Sequence, residues 1–139
     1  MTGSYAVAPT SWGLHVRMQG DLSMAQRDAA IAQIKECCLS LRERAWTSLI
    51  EFDHFQADNF RPERVVELMR LARSCGHLRS AIVLTDWQWA SALADAMIAA
   101  GATDQVRIFV LPDWADEGCE IAMPWVLHGG VVPLVSMAA

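Results

Sequence analysis

Three aspartates, Asp53, Asp86 and Asp113, each follow an apolar run that reads as a parallel strand. Parallel strands bring their carboxyl ends to one edge of a sheet, where α/β domains hold ligands. Carboxylates gathered there suit Mg²⁺, a hard cation that prefers oxygen. A phosphoacceptor site on that edge would also want a lysine against the phosphoryl charge, and the only lysine, Lys35, falls in the first helix. The plainer role of Asp86 and Asp113 is helix N-capping, worth about 1 kcal/mol each. His54 stands beside Asp53 and near Asp58, a pairing that suits proton transfer, yet no serine or cysteine nucleophile accompanies it. Cys37, Cys38, Cys75 and Cys119 lack C-x-x-C spacing and make no zinc-ligand pairs with His15, His54, His77 or His128. The expectation is a chain with no catalytic constellation, no metal and no cofactor.

These residues depend on the elements around them, and the stretch from Trp46 to Cys75 is central. It reads as a strand (Ser48–Asp53), an acidic loop and an amphipathic helix. Pro62 falls in the helix's first turn, where its missing N–H costs nothing. Val65, Leu68, Met69, Ala72 and Cys75 share the inward face, and Gly76 closes the helix. Upstream, Ser4–Ala8 and the alternation of Leu14, Val16 and Met18 with His15, Arg17 and Gln19 predict a hairpin with one face in the core. Asp21 or Ser23 then caps a helix, with Ser23 and Gln26 at capping-box spacing and Met24, Ile31, Ile34, Cys38 and Leu41 inward.

Downstream, Ser80–Thr85 is nearly unbroken in apolar character, as a strand covered on both faces should be. Asp86 caps a helix running to Ala100, with Trp89, Leu93 and Met97 inward and Gly101 as its stop. Val106–Leu111 is a further strand. Pro112 and Asp113 open a last helix carrying Trp114, Ile121 and Trp125, which Pro124 should end or kink, so that it is expected only to about Met123. Residues 128–139 form an apolar tail that docks on the body, docks on a partner subunit, or frays. The whole predicts an α/β domain: an N-terminal β-hairpin, then β-α repeats, giving a mixed, mostly parallel sheet with packed helices.

With 139 residues the chain is read as one domain, able to bury a core without disulfides or metal. Its 53% hydrophobic and 19% charged content is apolar for a monomer, which predicts a second buried surface such as a homodimer interface. The same excess admits a small apolar or lipid-like ligand. A net charge of −5 disfavours nucleic acid. The start, MTGSYAVAPTSWG, lacks the pattern of a signal peptide, and no apolar run reaches the ~18 residues that a membrane span needs. A cytoplasmic protein is the expectation.

The hairpin ending in GLHVRMQGDLS, the strand-loop-helix IEFDHFQADNFRPERVVELMRLAR and the late pattern of Glu117, Ala122 and Trp125 together resemble a STAS domain, the fold of anti-sigma-factor antagonists. The likeness covers roughly residues 4–127. In the sigma-regulating members a phosphorylatable serine follows an aspartate in the loop before the second major helix. Asp58 aligns with that aspartate and Asn59 stands in place of the serine, so the chain looks closer to stand-alone bacterial members without the switch. What the resemblance implies is a regulatory, partner-binding role. The expected surface is the loop-helix Asp53, His54, Phe55, Asp58, Asn59, Phe60, Arg61 and Arg64, with Asp86 and Trp87 beside it. If Trp89 is core, Trp87 projects at the carboxyl edge, because residues two apart on a helix do not share a face. An exposed Trp87 beside Asp86 and Phe55 would make a sticky patch for a partner protein or an apolar ligand.

Overall fold

A computed structural model describes residues 3–55, 61–112 and 118–137. The hairpin is built from β1 (Ser4–Pro9) and β2 (Gly13–Gln19). The β-α units follow: α1 (Met24–Ser40), β3 (Trp46–Asp53), α2 (Pro62–Ser74), β4 (His77–Leu84), α3 (Trp87–Ala100), β5 (Val106–Val110), α4 (Gly118–His128) and β6 (Val135–Met137). The six strands lie in sequence order, β1 antiparallel to β2 and all later neighbours parallel. This is an α/β fold of the expected class. The turn between β1 and β2 is closed by Thr10, whose N–H reaches the Gly13 carbonyl and whose hydroxyl accepts the Gly13 N–H. Gly13 has no alternative there: a Cβ would fall 1.9 Å from the Thr47 carbonyl oxygen on the neighbouring strand.

Alternation along the strands sorts side chains onto two faces. One face carries Leu14, Val16 and Met18 of β2, Trp46 and Phe52 of β3, Ile82 and Leu84 of β4, and the inward residues of α1, α2 and α3. The other carries Leu49, Ala81, Val83 and Phe109, covered by Ala122, Trp125 and Val126 of α4. The caps of α1 are as expected: Ser23 and Gln26 form a capping box. Gly76, at φ +94°, follows the end of α2, where only a residue tolerant of positive φ fits.

Two expectations are corrected, on Pro124 and Met24. The described part of α4 starts at Gly118; Pro112 is itself not helical, and Asp113 and Trp114, expected at the start of this helix, lie outside the described residues. Pro124 does not end α4, which continues to His128. Burial of Trp125 and Val126 against β3–β5 holds the turn after the proline, and Arg79 donates from Nε and Nη2 to the Trp125 and Val126 carbonyls at 3.0 and 3.1 Å. Of the alternatives for the tail, its described part takes docking on the body: Val135–Met137 adds a parallel edge strand to β5. Met24 is not inward: it is 70% exposed, at the first residue of α1 and at the rim of a cavity between α1, α2 and the sheet.

The sixth strand has a topological consequence. Each crossover moves one strand in the same direction across the sheet, but α4 lies on the face opposite α1, α2 and α3. The β5-α4-β6 connection therefore has the opposite hand to the other three. Crossover hand is a strong preference, and the apolar stripe of Leu49, Val83 and Phe109 explains the exception. Had α4 joined the other helices, that stripe would face water.

Candidate functional site

Between α1, α2 and the sheet lies a cavity of about 370 Å³, the size of a small-molecule site. Its origin is in residue size. Cys38 on α1, Ala72 on α2, Ser48 on β3 and Ser80 on β4 all face this space, and none has the bulk to fill it. The walls are Ile31 and Ile34 from α1, Val65, Leu68 and Met69 from α2, and Ile50 and Ile82 from the sheet. At roughly 3.3 Å per residue, the strand from Trp46 to Phe52 makes the cavity roughly 20 Å long. Cys38 is a plain apolar wall, its thiol pushed up to about 11 by burial and by the neighbouring Cys75 and Cys37 thiols.

The two ends differ in exposure. At one end Trp46, Ser48, His77 and Ser80 are each 4% exposed or less. At the other, Met24, Asp28, Arg61 and Arg64 are exposed, with Arg27 half-buried beside them. The first is the closed end, at the amino edge of the parallel strands. The second is the mouth, at the carboxyl edge. Among the described residues it carries three arginines and one carboxylate, Asp28, in a chain whose net charge is −5. Arg64 Nη1 and Asp28 Oδ1 span it from α2 to α1 at 3.8 Å; both are largely exposed, so the pair holds the helices together only weakly.

The closed end carries a polar cluster. Ser48 and Ser80 are register partners on adjacent strands, their hydroxyls 2.8 Å apart, and Ser48 Oγ lies 2.9 Å from His77 Nε2. The His77 ring packs tilted against Trp46 at 4.7 Å, and Trp46 Nε1 donates to the Cys75 carbonyl. Burial pushes the His77 pKa down to about 4, against a smaller upward pull from the Arg79 backbone, so the ring is neutral at pH 7. Two hydroxyls and a neutral imidazole hold three polar hydrogens, and the two bonds within the cluster use two of them. One hydrogen remains to be given to something else. His77 Nδ1 makes no hydrogen bond among the described residues.

The expected site residues divide among different places. Phe55, Arg61 and Arg64 line the cavity. Asp53 does not: strand alternation puts it on the α4 side, where Arg17 Nη2 donates to Oδ2 at 3.1 Å and His54 Nδ1 lies 2.7 Å from Oδ1. His54 is held at φ +49°, an uncommon conformation for a side-chain-bearing residue. Asp58, Asn59, Phe60 and Asp113 lie outside the described residues. Asp86 sits where a cap should, its carbonyl accepting the Ala90 N–H. Trp89 is core and Trp87 is 48% exposed, but the patch differs from expectation. Phe55 packs with Phe52 and Trp89, ring centroids 5.3 and 5.9 Å away, and so belongs to an inner aromatic cluster rather than to a surface with Trp87.

Sequence reasoning missed Ser48, His77 and Ser80. The signal was present: Ser48 and Ser80 stand at positions where the strand pattern calls for apolar side chains, and polar groups at such positions need a reason. No protein-family model, no curated protein and no solved structure matches the chain. Among the described residues no helix is long and apolar enough to cross a membrane, and no group of His, Cys, Asp or Glu is placed to hold a metal.

Proposed function

We propose that this chain is a non-catalytic, STAS-like carrier of a small apolar or lipid-like ligand, held between α1, α2 and the sheet. The order of hairpin and β-α units supports the STAS-like part of this reading. The cavity carries the rest. It leaves about 370 Å³ unfilled by side chains and open at the carboxyl edge, room enough for a small molecule. Protein interiors do not keep such voids without cause. The walls are apolar along most of their length, and the few polar groups are gathered at the two ends, the usual plan of a site that takes an apolar body and orients it.

Native mass spectrometry of freshly purified protein, followed by extraction with organic solvent, tests the reading. The expected result is a bound species of lipid-like mass that solvent removes and that dodecanoate or dodecanol replaces. A clean apo mass that stays unchanged in excess of both amphiphiles would overturn it.

A second reading keeps the partner-binding role, and exposed Trp87 favours it. That side chain leaves about half of a large apolar surface in water beside exposed Asp86, as recognition residues do. Its expected residues are Arg61 and Arg64 at the start of α2 and Trp87, with Asp58 and Phe60, which lie outside the described residues. A pull-down in which Trp87→Ala and Asp58→Lys each lose a protein retained by the parent chain supports this role. Identical retention by all three counts against it.

A further inference from the structure

The carrier reading leaves the ligand's polar end unspecified, and the distribution of charge around the cavity specifies it. Resting on that reading, we propose that the ligand is a single-chain amphiphile with an anionic head, carboxylate or phosphate, which lies at the mouth between Arg27, Arg61 and Arg64 while the chain runs inward toward Ser48 and Ser80. Three observations carry this.

The first is local charge against global charge. A chain of net charge −5 repels anions in general, yet among the described residues the groups of ordinary positive charge lining the cavity are three arginines at its mouth, with the Asp28 carboxylate beside them. Arginine is also the cation whose planar fork matches carboxylate and phosphate oxygens in pairs.

The second is the nature of the existing contact. Arg64 and Asp28 meet at 3.8 Å with both side chains more than half exposed, a loose pairing that a head group can replace or join at little cost. The arginines come from both helices, Arg27 from α1 and Arg64 from α2, with Arg61 just before α2. An anion among them therefore bridges the elements that form the two walls.

The third is what the closed end lacks. An ionised head there would meet a neutral imidazole and two serines with a single uncommitted hydrogen between them, too little to replace the hydration of a full charge. That end accepts a methyl terminus or one neutral oxygen. The length of the cavity fits an extended chain, and the walls of Ile34, Ile50, Val65, Leu68 and Ile82 offer it nothing but apolar contact.

Calorimetric titration with dodecanoate, dodecyl phosphate, dodecanol and dodecyltrimethylammonium, each below its micelle threshold at pH 7, tests the proposal. Dodecanoate or dodecyl phosphate should bind about tenfold or more tightly than dodecanol, as charge-assisted contacts allow, and the cationic amphiphile most weakly. Which anion binds better identifies the head. Arg61→Ala/Arg64→Ala should weaken the anionic ligands about tenfold and leave dodecanol within about twofold. Arg70→Ala, on the outer side of α2, should change neither, and thermal melting should confirm that both variants fold like the parent. Equal binding of dodecanol and dodecanoate, unaffected by the double variant, would overturn the head-group assignment and leave the carrier reading standing. A preference for dodecanoate that survives Arg61→Ala/Arg64→Ala would put the head at the closed end and overturn the stated orientation. No binding of any amphiphile would overturn both.

Discussion

The two faces of the sheet use the same strands and arrive at different solutions. On the α4 side, Leu49, Ala81, Val83 and Phe109 form one buried cluster with Ala122, Trp125 and Val126. Toward the hairpin that cover ends, and the polar residues of β2 and β3 pair instead: His15 with Glu51, and Arg17 with Asp53. Both carboxylates are buried and both partners reach solvent. Arg107 closes the other flank, its guanidinium 4.4 Å from the Trp125 ring and hydrogen-bonded to the Val132 carbonyl. On the opposite face three helices cover the same strands, yet small residues at Ser48, Ser80, Cys38 and Ala72 leave room, and the polar cluster keeps one hydrogen in reserve. One face is filled by its own side chains, and the other, on the proposed reading, is completed by a ligand. That contrast, rather than any single residue, points to the function.

The contrast is testable on adjacent residues. Leu49 is fully buried on the α4 side, and Ile50 borders the cavity. Leu49→Ala should cost about 3–4 kcal/mol in denaturant unfolding, as a large-to-small change in a packed core does. Ile50→Ala should cost only about 1–2 kcal/mol, because part of its surface already lacks contact partners. Equal costs would erase the distinction between the faces.

A nearly equal effect is expected from acid. The His77 pKa is lowered from 6.5 to about 4 in the fold, so between those values the unfolded chain binds a proton that the folded chain refuses. The neutral ring is tolerated at no cost above pH 6.5; stability falls as pH drops from 6.5 toward 4, by on the order of 3 kcal/mol in all. His77→Phe should flatten this part of the stability profile relative to the parent, and parallel profiles would contradict the assignment.

Breaking an ion pair on the filled face should matter less. Asp53→Ala removes the partner of Arg17 and the restraint on His54, and should cost about 2 kcal/mol, below the usual range for buried pairs because Arg17 is itself more than a third exposed. The smallest change carries the opposite sign. Ala72→Leu fills part of the cavity and should stabilise the empty protein by about 1 kcal/mol, or about 3 °C in melting temperature, while weakening amphiphile binding. A residue placed in a filled core would destabilise instead.

Much of the framework was legible from periodicity. The hairpin alternation, the Ser23–Gln26 cap, the Pro62 start and the Gly76 stop are local features with local causes, and they read correctly. Pro124 misled because its local effect was outweighed by burial of the turn beyond it and by Arg79, a residue far away in sequence. The last strand was illegible because three residues pairing with β5 make no pattern of their own. The site was the least legible part. Asp53 and Phe55 are near neighbours in the chain, but alternation and the bend at His54 send them to opposite faces, so a loop read as one surface is divided. The cavity itself has no motif: it arises where four small side chains from four elements meet, and only their juxtaposition in space reveals it.

The most direct test of the central claim is a methyl NMR titration of the intact chain with dodecanoate. The account predicts that the methyl signals of Ile34, Ile50 and Ile82 shift together and saturably, while those of Leu49, Val83 and Val126 across the sheet stay in place. Shifts centred on the α4 side, or no shifts on either face, would contradict it.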